Sequence, residues 1–320
     1  MDTFFSTAKA KKSTRGNTCC QLFVTDKGFL HCIPMKSKRE VILALKMFAK
    51  EIGAPDAIVC DALGEQTSKE VKGFLNKIGT SLRLLEQDTP WANKAELYVG
   101  IIKEAVRRDM KEANCLIPLW DYCIERRVRI SNMTAKNRFN LQGTNAHTQL
   151  FSEEGDISNL CNYGWYEWVY YRESTNKFPF HREVLGRTLG PAHGEGNEMC
   201  HWILKANGRV VPRRTHRPLR VDEIHNPVEQ KRREVFDALI EKRWGTALTV
   251  KNSNGGIKSE TWEEYSDNFE KPRSIPENED VVDINGRLLN QQPAHNKLIS
   301  AEVQMEWGAN WQGDSESSGS

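Results

Sequence analysis

Apolar and polar positions in the first 130 residues follow two patterns, one typical of strands and one typical of helices. Strand-forming residues on both sides of the turn Asp26-Lys27-Gly28 predict a hairpin. Further short apolar runs and helically spaced apolar residues predict strands at 57–60 and 82–85, and helices at 37–52, 68–78, 89–110 and 117–130. A hairpin followed by alternating strands and helices predicts a mixed sheet covered by helices, an α/β fold.

Two of these helices carry recognisable sequence features, a capping box in the first and distinct charged and apolar faces in the long one. Ser37 and Glu40 match a capping box at the start of the first helix. In the long helix, Glu96, Lys103 and Arg107 share one stripe. The side of the long helix that is predicted to face the core is formed by Leu97, Ile101, Ile102, Ala105 and Val106.

The second half of the chain has a different pattern. Residues 131–158 are predicted to be mostly loop, and strand-prone runs punctuated by glycines from 165 to 219 predict a small all-β module. A charged helix is predicted at 228–244, and the composition beyond about residue 250 predicts a largely disordered tail. We therefore expect three parts, at 1–150, 160–222 and 223–320.

Composition narrows the class of protein. The 320 residues are 38% apolar and 28% charged, and no run approaches 18 uncharged apolar residues, so we expect no membrane span. The net charge of +2 hides ten lysines and arginines against two acids between Ala8 and Lys50, a second basic stretch from Lys205 to Arg220, and an acidic stretch at 260–283. Basic stretches are compatible with a nucleic-acid partner, or with an ordinary charged surface.

Cysteine and histidine spacing does not predict a zinc site. None of the eight cysteines forms a C-x-x-C pair, so we expect free thiols in a reducing compartment. His193, Cys200 and His201 lie in a glycine-rich stretch in which two ligands are adjacent, a poor arrangement for zinc.

Three acids occupy positions that suit a site for two metal ions. Asp2 lies in a predicted first strand, Asp61 directly ends a buried strand, and Glu96 lies in the first turns of the long helix. Two divalent cations need several oxygen ligands in a small volume, and Mg²⁺ or Mn²⁺ takes them from carboxylates. The other interpretation of Glu96 is the charged outer face of an ordinary amphipathic helix.

The residues around two of these acids resemble a known family. Asp61-Ala62-Leu63-Gly64-Glu65 resembles the D-N-G-x-E element of copia-type retrotransposon integrases, and Thr89-Pro90-Trp91-Ala92-Asn93 with Glu96 is similar to their T-P-x-x-N…E element. With Asp2, the spacing resembles the D,D-35-E arrangement of retroviral and retrotransposon integrases. The resemblance implies an RNase H-like fold for residues 1–150, followed by a small β-barrel-like module. The stretch 281–303 is similar to the Pol polyprotein segment between integrase and reverse transcriptase.

The sequence departs from the family pattern at three places. Ala62 replaces the usual asparagine, the interval from Asn93 to Glu96 is one residue shorter than in many copia elements, and only Met1 precedes Asp2. The family's zinc module with paired histidines and cysteines is not seen. We therefore expect a fragment with a clipped first strand, or a decayed reading frame.

The resemblance also implies a reaction and its partners. It implies metal-dependent strand transfer by transesterification, with Asp2, Asp61 and Glu96 as ligands of two Mg²⁺ or Mn²⁺ ions. The partners would be double-stranded DNA, both element cDNA ends and target, and other copies of the chain in a homo-multimer in the nucleus. The residues expected to contact DNA are Asn93, Lys103, Arg107, Lys11, Lys12, Arg213 and Arg214, and Arg15 in the first loop is a further candidate.

Two other functions fit the same sequence. The chain is alternatively a catalytically inactive nucleic-acid-binding remnant of a transposable-element polyprotein. It is otherwise a sister enzyme of the same fold, a ribonuclease H or a cut-and-paste transposase. The T-P-x-x-N…E element and the all-β module favour an integrase over both sister enzymes.

Overall fold

The first sheet is a three-stranded antiparallel meander. In the computed structural model, β1 (Asp2–Phe5), β2 (Cys19–Val24) and β3 (Leu30–Met35) lie in the order β1-β2-β3. The predicted turn joins β2 to β3, and Gly28 adopts a φ of 78° there, which glycine tolerates best. The hairpin prediction is therefore confirmed.

The structure describes most of the chain up to Trp244. The described residues are 1–6, 12–61, 65–85, 94–136, 141–173, 179, 182–192 and 199–244, with the backbone of β11 (Val250–Lys251) and β12 (Ile257–Lys258). Residues 259–320, where a disordered tail is predicted, lie outside them.

A second sheet contains one parallel pair. β4 (Ala57–Asp61) pairs with β5 (Ser81–Leu85), and Asp61 is the last residue of β4, as predicted. The predicted mixed sheet is thus present as two separately hydrogen-bonded sheets. The Met1 ammonium group of the β1 side donates a hydrogen bond of 2.6 Å to the Val59 carbonyl oxygen on β4, which places the two sheets side by side.

Two helices and the sheets enclose the first apolar core. α1 (Val41–Glu51) and α2 (Lys69–Lys77) bury residues such as Leu45 and Leu75 against the strands. Ser68 caps α2, since its side chain accepts a hydrogen bond from the Val71 N–H.

The predicted capping box at Ser37 is wrong. The Ser37 side chain makes no cap hydrogen bond, and a 3₁₀ turn (Lys38–Glu40) precedes α1. The physical reason is that the Glu40 carboxylate accepts a hydrogen bond of 2.8 Å from the backbone N–H of Lys36, on the strand side of the turn.

The long helix α3 (Lys94–Glu112) turns a different side to the core than predicted. Ile102 and Val106 are buried as expected, but Leu97 and Ile101 are 58% and 45% exposed and Ala105 is only half-buried. The sheet and the neighbouring helix instead cover a face with helical spacing from the first turn onward, formed by Ala95, Tyr98, Val99, Ile102, Val106 and Met110.

The helix α4 (Trp120–Met133) lies at the centre of the structure, where it contacts α3, β3 and β7. Near its end, the Asn132 side-chain amide accepts a hydrogen bond from the Leu30 N–H and donates one to the Leu30 carbonyl oxygen, both at 2.8 Å. Two short helices follow, α5 (Ala146–Phe151) and α6 (Ser158–Cys161), so the segment 131–158 is less irregular than predicted.

The predicted all-β module is an antiparallel sheet of five strands. Its order is β10-β6-β7-β8-β9, and in the described residues β9 and β10 lie at its two edges, so the sheet is open and not a closed barrel. The helices α7 (Val221–His225), which was not predicted, and α8 (Pro227–Trp244), which was, come next. The strands are β6 (Trp168–Arg172), β7 (Glu183–Pro191), β8 (His201–Lys205), β9 (Val210–Arg213) and β10 (His216–Pro218).

The largest apolar core joins the meander to the five-stranded sheet. It contains Phe4 and Leu22 from the meander, Leu189 and Leu204 from the second part, and Phe236 from α8. The division at 1–150, 160–222 and 223–320 stays a prediction, and all three parts contribute to this core. None of the helices in the described residues has the length and apolar character needed to cross a membrane.

A buried ionic network fixes the loop after β1 to α4. Asp121 is fully buried and accepts hydrogen bonds of 2.8 Å from both the Arg15 guanidinium and the Asn17 side-chain amide. Arg15 also lies 3.0 Å from a Glu125 carboxylate oxygen and stacks over the Tyr122 ring. Arg15, which the sequence offered as a DNA contact, is therefore bound within the protein.

We expect Arg15→Met to lower the free energy of unfolding by about 3 kcal/mol, because the change leaves Asp121 buried without its cation. Urea denaturation measures this value. Arg108→Met, at an exposed position on α3, is the matched control and is expected to change it by less than about 0.5 kcal/mol. Equal effects of both substitutions would contradict the prediction.

His201 is the most enclosed histidine of the five-stranded sheet. It is 1% exposed, its Nδ1 lies 3.2 Å from the Thr188 hydroxyl, and its Nε2 lies 3.1 Å from the Asn159 side-chain oxygen. Burial, with a smaller effect of nearby positive charges led by His216, lowers the pKa of His201 to about 3.

This lowered pKa predicts acid sensitivity. The unfolded chain takes up a proton at His201 near pH 6.5, and the folded chain does not until about pH 3. The free energy of unfolding therefore falls as the pH drops from 6.5 towards 3, because protonation favours the unfolded chain. We expect His201→Gln to reduce the slope of unfolding free energy against pH, between pH 6 and 4, by up to one proton, about 1.4 kcal/mol per pH unit. The exposed His225→Gln is the control, and a His201→Gln slope equal to the wild-type slope would exclude this effect.

Candidate active site

Asp2 is the first residue of β1 and lies half-buried beside β4. Its Oδ1 accepts a hydrogen bond of 2.7 Å from the Thr3 N–H. Burial raises the pKa of the Asp2 carboxyl, the hydrogen bond from Thr3 opposes that rise, and the negative charges of Asp61 and Glu96 add to it. The three acids are therefore near enough for two of them to act electrostatically on the third.

Asp61 and Glu96 reach this region from other elements. Asp61 is exposed at the end of β4, opposite Leu85 on β5, and Glu96 is exposed in the first turn of α3. The segments 62–64 and 86–93, which contain Asn93 and the T-P-x-x-N element, lie outside the described residues.

The donor chemistry of these acids fits a divalent cation. Carboxylates are the ligands that Mg²⁺ and Mn²⁺ favour, and a cation beside Asp2 would offset the burial and the repulsion that raise the pKa of its carboxyl. Across the described residues, however, no three or more acidic, histidine or cysteine side chains are gathered as a group that could hold a metal ion. The charges of Asp61 and Glu96 act on Asp2, but in the described residues the three carboxylates are not gathered into one metal-binding group.

Cationic side chains of α3 lie on the same side as Asp2. The Lys103 ammonium is 5.3 Å from the centre of the Phe4 ring on β1. Burial lowers the pKa of Lys103, the charge of Arg107 lowers it further, and the charge of Asp2 raises it. Arg107 lies 3.0 Å from a Glu104 carboxylate oxygen one helical turn away. The stripe thus carries an acid in the first turn of α3 and two cations further along the helix.

The other residues predicted to contact DNA are dispersed. Lys12 is exposed in the first loop, whereas Lys11 and Asn93 lie outside the described residues. On the five-stranded sheet, Arg214 is exposed, and the Arg213 guanidinium lies 3.2 Å from Glu173 and donates to the Pro212 carbonyl oxygen. Of the residues predicted to contact DNA, Lys103 and Arg107 lie on α3, on the same stripe as Glu96.

A polar chain beside Asp2 was missed by the sequence analysis. The Gln66 side-chain amide donates to the Thr3 hydroxyl at 3.0 Å, and that hydroxyl donates to the Gln21 side-chain oxygen at 2.5 Å. The one sequence signal was a glutamine inside the apolar run of β2, which alone does not reveal its partners.

Comparisons with known proteins find similarity at the level of structure. No protein-family model and no curated protein matches the sequence. The simian T-cell lymphotropic virus intasome, solved with the PP2A regulatory subunit B56 gamma, is similar with a TM-score of 0.40 and 13% identity over 68% of this chain and 77% of that chain. The HTLV-2 integrase catalytic core domain, solved with magnesium in a trimeric form, is similar with a TM-score of 0.37 and 19% identity over 47% of this chain and 91% of that chain.

Both of these similar structures are retroviral integrases. At such TM-scores and identities, neither similarity assigns a function to this chain.

Proposed function

We propose that the chain is the catalytic core of a copia-type retrotransposon integrase, a polynucleotidyl transferase that joins DNA ends to target DNA. The observation that carries this proposal is that β4 and α3 both contact the β1 segment: Met1 donates a hydrogen bond to the Val59 carbonyl oxygen on β4, and Lys103 of α3 lies over Phe4. These three elements carry Asp2, Asp61 and Glu96, the acids that the integrase-like motifs select.

The strand arrangement supports an RNase H-like layout. The meander runs β3-β2-β1, the β1 side meets β4 through the contact between Met1 and Val59, and β4 pairs in parallel with β5. One continuous mixed sheet in the order β3-β2-β1-β4-β5 would follow if β1 and β4 became paired. The contact between Met1 and Val59 already places the start of β1 beside the last residues of β4, which end at Asp61.

Asp2, Asp61 and Glu96 are the residues that would hold two Mg²⁺ or Mn²⁺ ions. Bound divalent ions supply charge neutralisation at a phosphate and a more acidic attacking hydroxyl group. The protein's own contribution is positional, since the Thr3 N–H holds one oxygen of Asp2, the end of β4 carries Asp61 and the first turn of α3 carries Glu96.

Lys103 and Arg107 are proposed to contact the phosphates of double-stranded element ends. They continue the stripe of α3 that begins at Glu96, so a DNA backbone bound along the helix would meet acid first and cations next. Lys12 and Arg214 are exposed cations that suit target DNA. Assembly as a homo-multimer and action in the nucleus belong to the same proposal.

The reaction is tested by Mn²⁺-dependent transfer of a labelled long-terminal-repeat end into plasmid DNA. We expect Glu96→Gln to lower strand transfer on the order of 100-fold or more, because the substitution removes a charged metal ligand. Glu112→Gln, which changes an exposed acid at the other end of α3, is the matched control and is expected to keep wild-type activity.

One observation favours a second function, DNA binding without catalysis. The described residues contain no gathered metal-ligand cluster. Absence of strand transfer in the wild-type chain together with salt-sensitive DNA binding would establish this second function. Strand transfer that survives Glu96→Gln would reject the proposed active site.

DNA binding by the helix stripe gives a separate prediction. We expect Lys103→Met to weaken binding to duplex DNA and to reduce the slope of log affinity against log salt by about 0.9, because one phosphate contact is lost. Fluorescence anisotropy over a salt series measures both quantities. Lys111→Met, exposed in the last turn of α3, is the control, and an unchanged slope in Lys103→Met would remove Lys103 from the DNA contacts.

A further inference from the structure

We infer that Thr3 is a positioning residue, which ties the carboxylate of Asp2 to the chain segment that follows Asp61. The inference rests on the proposed function, since it concerns how two of the proposed metal ligands are held at a fixed separation. Its basis is the polar chain from Gln66 through Thr3 to Gln21.

Thr3 makes two kinds of contact in opposite directions. Its backbone N–H donates to Asp2 Oδ1 at 2.7 Å, and its hydroxyl lies between two side-chain amides. Gln21 is its direct partner across the β1–β2 ladder, so the hydroxyl is anchored to the middle strand of the meander. One residue therefore contacts both the first acid and the polar chain.

The other end of this polar chain is Gln66, which comes soon after the second acid in the sequence. Gln66 belongs to a 3₁₀ turn (Glu65–Thr67) and follows Asp61 by five residues. Gln66 is 8% exposed and Gln21 is fully buried. A buried amide that loses its partner is destabilising, so the hydrogen bond to Thr3 holds the turn against β1.

The hydrogen-bonded chain of Gln66, Thr3 and Gln21 fixes the position of the turn on β1 and does not give the greatest possible stability. Within the described part of the protein, Gln21 Nε2 and Gln66 Oε1 are buried and have no hydrogen-bond partner. Rotating both amides by 180° would reverse every donor and acceptor and leave the same number of atoms unpaired. A well-packed apolar trio would avoid this cost, so what the polar chain specifies is the registration of the turn on β1.

The inference predicts the behaviour of two substitutions at Thr3. Thr3→Val keeps the shape of the side chain and removes the hydroxyl, so both amides lose their shared partner. We expect Mn²⁺ affinity to fall by about 10-fold or more, in the range for residues that orient metal ligands. Thr3→Ser keeps the hydroxyl and is expected to stay within about threefold of wild type.

The measurement is direct Mn²⁺ titration of the full chain, with free Mn²⁺ followed by electron paramagnetic resonance. Thr80→Val is the control for lost stability, because Thr80 is also buried and its hydroxyl donates to the Pro55 carbonyl oxygen at 2.7 Å. Thr80 precedes β5 at the end of the β4–β5 pair opposite to Asp61, so its loss is expected to lower the unfolding free energy without changing Mn²⁺ affinity.

The outcomes separate this inference from the proposed function. If the wild type binds Mn²⁺ no better than Asp61→Asn, the proposed metal site fails and the inference fails with it. If the wild type binds, Asp61→Asn does not, and Thr3→Val binds like the wild type, only the inference is overturned. Equal losses of affinity in Thr3→Val and Thr80→Val would also overturn it, since they indicate a general effect of stability. Loss in Thr3→Val with recovery in Thr3→Ser supports it.

Discussion

The helix α4 is enclosed on three sides, and its two buried polar residues restrict where it can lie. Asp121 needs the Arg15 and Asn17 side chains, and Asn132 needs both backbone groups of Leu30. A buried carboxylate or amide without partners is costly, so only a placement that satisfies both residues is stable. The meander, α3 and the five-stranded sheet then pack around a helix whose position along its axis is already set.

The candidate site depends on this placement through α3. Tyr98 and Ile102 are buried in the core that α4 and Phe4 of β1 share, so the stripe of α3 that flanks this buried face lies beside β1. Lys103 consequently lies over Phe4, and the charge of Glu96 acts on Asp2. The chemistry proposed for the acids therefore uses side chains whose positions are fixed by apolar packing on the adjacent face of the same helix.

Local features were predicted well from the sequence, and long-range pairings were not. The hairpin, the end of β4 at Asp61 and the helix α8 follow from spacing and turn residues, which act within a few positions. The buried side of α3 was misassigned, because Leu97 and Ile101 are apolar but neighbouring elements do not reach them. Helical spacing shows which apolar residues lie on one face of a helix, but the packing of neighbouring elements decides which face is buried.

The long-range polar contacts could not be predicted from local sequence patterns either. Arg15 and Asp121 are 106 positions apart, and Thr3 and Gln66 are 63 apart, so neither pair has a local signature. The three acids were selected from the sequence by motif and spacing, and the charge effect on Asp2 relates them in space. Their roles as metal ligands stay predictions, since a sequence states residue types and not the distances between carboxylates.

The two hydrogen bonds between the Asn132 side chain and the Leu30 backbone block part of the outer edge of the meander. Among the residues that the structure describes, β3 pairs only with β2, and alternate residues of an edge strand turn their backbone groups outward. Of the three outward positions, Leu30 is occupied by the Asn132 amide and Pro34 has no N–H to donate. Within the described residues this leaves Cys32 as the one outward position with both an N–H and a carbonyl group for a foreign strand, and a single residue cannot nucleate a ladder. This edge is thereby protected against templating a cross-β aggregate.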